Sequence, residues 1–169
     1  MTETKLLATT DLCDAHEDML VSGELRVLAP AWLCFGRRTR FHGVAVTLKL
    51  FEDNSLMADA VRQPGAGRVL VVDAGSSTRC AVLGGNLAAA AAKNQWQGVI
   101  VFGAVRDADE IDGCDLGVRA LALNPRRSVK RGAGQRDLAV DVGGVAVRPG
   151  EWIYADRDGV LVSARQLAG

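Results

Sequence analysis

Short unbroken apolar runs alternate along the chain with segments broken by glycine, proline and charge, a pattern of strands buried on both faces. Residues 68–73 (RVLVVD) and 99–102 (VIVF) are the plainest runs. Between them stand five consecutive alanines, residues 88–92, which predict a helix over 87–93. Strand, helix and strand in that order predict a parallel pair joined by a right-handed crossover.

The remaining pattern adds shorter elements. Residues 43–50 alternate partially and, with 118–123, predict further strands. Gly143-Gly144 between two valine-rich triplets predicts a tight hairpin. Pro149-Gly150 and Asp156-Arg157-Asp158-Gly159 bracket and separate two more strands, 152–154 and 160–162. Thr10 is the expected cap of a helix ended by Gly23, and Asn54 of one running to Val61, with a third short helix over 108–111. Asn124-Pro125 opens a polar loop to about Arg136. The expectation is one mixed α/β domain over 1–169, a buried parallel strand layer with antiparallel hairpins.

Composition narrows the function classes. The 169 residues are 49% hydrophobic and 24% charged, as in an ordinary globular domain that needs no disulfide or structural metal. Twenty basic residues balance 20 acidic ones, which removes the electrostatic case for a dedicated nucleic-acid binder. With only His16 and His42, a site built on several histidines is excluded. Cys13, Cys34, Cys80 and Cys114 form no C-x-x-C pair and read as reduced thiols. No leader pattern opens the chain and no apolar run approaches the ~20 residues that span a bilayer. The expectation is a cytoplasmic protein without a membrane partner.

Dinucleotide, P-loop, nucleophile-elbow and zincin motifs are all missing from the sequence. Arg37, Arg38 and Arg40, and then Arg126, Arg127, Lys130, Arg131 and Arg136, form two basic clusters. Without interleaved aromatics these read as solvated loops, or as charges paired across a subunit interface, and not as an RNA surface. Trp32, Trp96 and Trp152 read as packing or interface anchors.

Candidate chemistry gathers at two strand ends. Arg106-Asp107 follows the 99–102 run and Gly103-Ala104-Val105, where open α/β sheets bind ligands. A structural ion pair is the competing reading. Gly84, Gly85, Asn86 and Leu87 lead into the alanine-rich helix, where free N–H groups make an anion cradle. Here the competing reading is an ordinary glycine turn with Asn86 as cap. Acting together, the cradle and the planar Arg106 fork suit a carboxylate.

Several segments carry a family resemblance: Phe51-Glu52-Asp53-Asn54, residues 67–73, Gly103-Ala104-Val105-Arg106-Asp107, Gly117-Val118-Arg119-Ala120-Leu121, Asn124-Pro125 and Tyr154-Ala155-Asp156. In that order they resemble the family of regulator of ribonuclease activity A, which also contains the class II 4-hydroxy-4-methyl-2-oxoglutarate aldolases. The resemblance implies a swivelling β/β/α fold and a homotrimer with clefts between subunits. It implies that Gly84, Gly85, Asn86 and Leu87 contact a pyruvyl carboxylate, that Arg106 binds substrate oxygens, and that Asp107 is the protein ligand of Mg²⁺ or Mn²⁺.

The implied activity is retro-aldol cleavage of a small 2-oxo acid to pyruvate, with oxaloacetate decarboxylation beside it. The alternative that the family offers is a non-enzymatic regulator of a ribonuclease of the ribonuclease E type, or of an RNA helicase. Regulators can lack the acid after the arginine, which this chain has. Many aldolase members carry an acid after the first glycine of the turn to support metal-bound water; here Gly85 and Asn86 stand instead. Asp109 and Glu110 read as a solvated first helical turn, and the general base is unassigned. Lys5, Lys49, Lys93 and Lys130 include none at a buried strand end, which argues against a Schiff-base aldolase.

Overall fold

Every residue of strand β4 (Val69–Asp73) is buried, as its unbroken apolar run requires, and β4 pairs in parallel with β6 (Gly98–Val105). On either side β3 (Phe41–Lys49) pairs in parallel with β4, and β7 (Gly117–Leu123) with β6. The computed structural model describes residues 7–28 and 32–167. The stretch 1–6, with Lys5 and most of the segment read for a leader, lies outside the described residues.

Antiparallel strands extend this parallel centre. Beyond β3 come β11 (Trp152–Ala155), β12 (Val160–Ser163) and β1 (Leu25–Leu28); beyond β7 comes β2 (Leu33–Phe35). Two short strands attach to the interior, β5 (Ala81–Leu83) on β6 and β8 (Gln135–Arg136) on β3. The hairpin β9 (Val140–Val142) and β10 (Val145–Val147) turns through Gly143 and Gly144, whose φ of 63° and 86° is the left-handed geometry of a two-residue turn.

The order β1-β12-β11-β3-β4-β6-β7-β2 puts β1 and β2 at opposite edges of the sheet. Five residue steps link Leu28 to Leu33, a reach of at most about 18 Å. Eight flat strands would hold those edges about 34 Å apart. The sheet is therefore curled strongly enough to bring its edges towards each other.

Alternation along β4 sorts its side chains onto two faces. Leu70 and Val72, with Val99 and Val101, pack against helices α3 (Ser55–Val61) and α4 (Gly85–Lys93) through Met57, Val61, Ala88 and Ala91. Val69 and Val71, with Ile100, meet Phe41, Val140, Val142, Val160 and Val162 on the other side. A smaller cluster of Leu12, Met19, Leu25, Tyr154 and Leu161 seats α1 (Thr9–Ala15) and α2 (Glu17–Ser22). The short α5 (Ala108–Asp112) follows β6. No helix among the described residues is long and apolar enough to cross a membrane.

Three local expectations are corrected. The first helix is two, divided at His16, and Ala8 rather than Thr10 holds the cap position. The neighbouring Thr9 is drawn into a tertiary contact: its N–H and hydroxyl each donate to the Asp156 carboxylate at 2.7 Å. Asn54 occupies the α3 cap position without a capping bond, and Asp53 does the work, accepting from the Ser55 N–H at 2.9 Å and hydroxyl at 2.6 Å. Strand β5, not read from the sequence, lies between β4 and the glycine turn.

Candidate functional site

The Arg106 N–H donates to the Leu83 carbonyl at 2.9 Å, so the end of β6 is fixed against the end of β5. Asp107 follows with φ 61°, a left-handed conformation that aspartate tolerates better than most side chains. In this conformation its carboxylate does not cap its own helix α5. Instead Oδ2 accepts the Gly85 N–H at 2.9 Å, at the start of α4, where the helix dipole favours negative charge.

Space, not backbone strain, explains the two glycines of the turn. Gly84 is extended, with φ −128°. A Cβ there would lie 2.8 Å from Asp107 Oδ2 and 3.4 Å from Arg106 Nε. At Gly85 a Cβ would collide with the Glu110 carboxylate. Bare backbone at 84 and 85 thus lets three charged side chains close over the start of α4.

Gly84, Gly85, Asn86, Leu87, Arg106 and Asp107 all line one cleft of about 250 Å³. The structure therefore brings together every residue singled out from the sequence. Arg106 and Asp107 form no ion pair with each other; the Arg106 Nη1 approaches the Pro125 carbonyl at 3.4 Å. Asn86 is not the cap, a position held by Gly84, and lies exposed in the first helical turn.

The opposite wall was not read from the sequence. Asn54, Arg62, Arg127, Ser128 and Lys130 line the same cleft. They arrive there because residues 126–131 run between two other segments, bridging Ala81 to Arg127 and Asp53 to Val129. The Asp53 Oδ2 pins that run by accepting the N–H of Arg131 at 2.7 Å and of Ala133 at 3.3 Å. Burial pushes the Asp53 carboxyl up, but the bonds from Ser55, Arg131 and Ala133 outweigh it and hold it at about 2. Ser128 Oγ and Asn54 Oδ1 are buried without a hydrogen-bond partner. Buried polar groups without a partner call for one, such as an ordered water or ion.

The basic segment is accordingly not a merely solvated loop. A neighbouring hollow of about 510 Å³ is lined by Arg79, Arg126 and Arg131 and shares Arg127 and Ser128 with the cleft. Arg79 there pairs with Glu52 at 2.6 Å. Elsewhere Arg38 pairs with Asp115 at 2.8 Å and Arg136 with Asp59 at 3.2 Å. Within the cleft, Arg62, Arg106, Arg127 and Lys130 face a single lining carboxylate, Asp107. That balance suits a ligand with more than one negative charge.

The donor set also decides which metal fits. Among the described residues no group of three or more His, Cys, Asp or Glu side chains is placed to hold an ion, whereas zinc sites use three or four such ligands. Asp107 keeps one carboxylate oxygen outside its bond to Gly85, beside a glycine cradle. A single oxygen donor in an open, charged cleft fits Mg²⁺ or Mn²⁺, which retain several waters.

The sequence model of the RraA-like family, described as Aldolase/RraA, matches residues 9–162. The chain belongs to that family. A Burkholderia multivorans protein, provisionally named 4-hydroxy-4-methyl-2-oxoglutarate aldolase, is 62% identical over 160 residues, covering 95% of this chain and 98% of its own. The solved RNA-processing inhibitor RraA from Thermus thermophilus superposes with a TM-score of 0.89 at 43% identity, covering 96% of both chains. A Geobacillus kaustophilus structure, named an S-adenosylmethionine:2-dimethylmenaquinone methyltransferase, gives 0.88 at 40% identity, with 95% and 97% covered.

Proposed function

We propose that this protein is a divalent-metal-dependent lyase that cleaves 4-hydroxy-4-methyl-2-oxoglutarate, or a related 4-hydroxy-2-oxo acid, to pyruvate. One observation carries the reading: Arg106 and Asp107 lie on the Gly84-Gly85 turn, in a cleft whose other wall is cationic. The provisional name of the Burkholderia relative supports the substrate.

The N–H groups of Asn86 and Leu87 lie in the first turn of α4 and have no acceptor within the helix, because its first internal bond is Ala88 N–H to the Gly84 carbonyl. They receive the pyruvyl carboxylate. Arg106 donates to the 2-oxo oxygen, where negative charge grows as the C3–C4 bond breaks. The proton leaves the C4 hydroxyl, its electron pair forms the new carbonyl, and the C3–C4 pair becomes the enolate of pyruvate. Protonation at C3 then gives pyruvate, so the six-carbon substrate yields two. Arg127 and Lys130 face the remote carboxylate. A divalent cation held by Asp107 supplies Lewis-acid polarisation of the 2-oxo group. Oxaloacetate losing carbon dioxide leaves the same enolate, so the same site would also decarboxylate oxaloacetate.

The deciding experiment incubates the protein with substrate and Mg²⁺ or Mn²⁺ and couples pyruvate to lactate dehydrogenase. Pyruvate no higher than in a metal-free control sinks the proposal.

The family's homotrimer belongs to the same reading. Leu33, Phe51, Leu123 and Val129 are large apolar side chains left exposed on one chain, and a subunit interface would cover them. Light scattering at three times the chain mass is the expected result. The likeness to the Thermus inhibitor supports a second reading, a regulator that binds a ribonuclease. Capture of a ribonuclease undiminished by Arg106→Ala and Asp107→Ala, from protein without lyase activity, would favour it.

A further inference from the structure

Arg119 carries a positive charge into the interior with no acid to meet it. The residue is 1% exposed, and among the described residues its acceptors are three backbone carbonyls, those of Val118, Thr39 and Asp156. The Asp156 carboxylate is engaged elsewhere, by the N–H and hydroxyl of Thr9 and the N–H of Asp158. An arginine does not deprotonate in proteins, and a buried charge without a counter-charge is costly. Burial pushes the Arg119 guanidinium down, and negative charge at Cys34 or Asp156 opposes that push. Its Nε, the guanidinium nitrogen nearest its own strand, is buried without any partner among the described residues.

Directly across from Arg119, in the antiparallel pairing of β2 with β7, stands Cys34. Opposite residues of such a pair share one face of the sheet, with Cβ atoms about 5 Å apart. Trp32 packs against the same interior cluster as Phe41, the ring over which the Arg119 guanidinium lies. The Trp32 Nε1 is likewise buried without an acceptor, and the Trp32 carbonyl accepts the Cys34 S–H at 3.9 Å. Two orphaned N–H donors thus accompany one thiol, and orphaned donors call for an acceptor. Cys34 is exposed, whereas Cys80 is buried and Cys13 and Cys114 are partly buried. Burial pushes those three thiols up, which holds them back from the nucleophilic thiolate form. The neighbouring Leu33 points to the opposite face of β2, so covering it leaves Cys34 open.

We propose that Cys34 is a site of reversible oxidation by hydroperoxides, its sulfenate held by the Nε–H of Arg119 and the Nε1–H of Trp32. The thiolate sulfur attacks one oxygen of the peroxide, so that an S–O bond forms and the O–O bond breaks. The departing hydroxide takes the sulfenic acid proton and leaves as water. Sulfur gives up two electrons and the peroxide accepts them. The product brings the oxygen acceptor and the negative charge that Arg119 lacks, and small thiols return it to cysteine through a mixed disulfide.

The test treats the full chain with hydrogen peroxide, caps the remaining thiols with a maleimide, and follows each cysteine by peptide mass spectrometry. Dimedone in a parallel sample identifies the sulfenic acid. Cys34 should oxidise at least about 10-fold faster than Cys13, Cys80 or Cys114. Trp32→Phe keeps an aromatic ring and removes the N–H; Cys34 should then oxidise about 10-fold more slowly, the effect of one lost bond to a charged group. Arg119→Met should slow it at least as much, and Trp32→Phe keeps the test decisive if that chain does not fold. Oxidation spread evenly over the four cysteines, no dimedone adduct at Cys34, or a parental rate in Trp32→Phe overturns the proposal.

Discussion

The Asp107 carboxylate caps a helix that begins 22 residues earlier in the chain, accepting the Gly85 N–H at 2.9 Å. That bond joins the loop after β6 to the start of α4, so one residue both assembles the cleft and supplies its acid. Asp107→Asn keeps a side chain suited to the left-handed backbone and an amide oxygen for Gly85, yet loses the charge. Metal-dependent pyruvate formation should fall by about 10²-fold or more, with the melting temperature nearly unchanged. Asp107→Ala should lose the same activity and also some stability, because an alanine at φ 61° is strained and the Gly85 N–H loses its acceptor. Coupled pyruvate assays beside thermal melts separate the two.

Gly84→Ala tests positioning alone. The backbone is extended there and accepts a side chain, but the added Cβ would sit 2.8 Å from Asp107 Oδ2. Displacing that carboxylate by a fraction of an ångström should lower kcat by as much as about 10²-fold. Chemical denaturation should show little change, and a large loss of stability would contradict this account.

Asp53 should make the fold acid-sensitive. Its carboxyl is held at about 2, below the ordinary 3.8, so its bonds stabilise the folded chain fully above pH 4. The contribution disappears as pH falls from about 4 towards 2, and it is on the order of 1–2 kcal/mol. Asp53→Asn should remove that part of the pH dependence and loosen residues 126–133. Urea melts at pH 6 and pH 3, compared between parent and variant, measure the difference.

Arg119 is 1% exposed, with its guanidinium 5.1 Å from the Phe41 ring centroid. Its Nη2 donates to the Thr39 carbonyl at 2.7 Å and the Asp156 carbonyl at 3.1 Å. Arg119→Met fills most of the volume but strands both acceptors, at a cost of about 2–4 kcal/mol. A urea midpoint equal to the parent's would show that these carbonyls find other donors.

What the chain discloses about itself follows from how local each signal is. Strands β4 and β6 were legible because burial on both faces leaves an unbroken apolar run. Placing Arg106, Asp107 and the glycine turn at one end of the sheet needed only the order of strand, helix and strand. Strand β2 was not legible: Leu33 and Cys34 are exposed, and the segment is extended through its pairing with β7. Lys130 and Ser128 reach the cleft through backbone bridges to Asp53 and Ala81, contacts that no spacing rule encodes. Asn54 has the residue type of a cap, but the capping bonds to Ser55 belong to Asp53, so Asn54 lines the cleft with its Oδ1 unpartnered.

The left-handed turn at Asp107 also limits how this position drifts when the chemistry is no longer under selection. Most side chains there would strain the loop, so relatives that abandon catalysis have few easy exits, chiefly asparagine and glycine. Those two letters after the arginine therefore become a marker in sequence surveys. Under the proposed function, members that carry either letter there should form no pyruvate in the coupled assay.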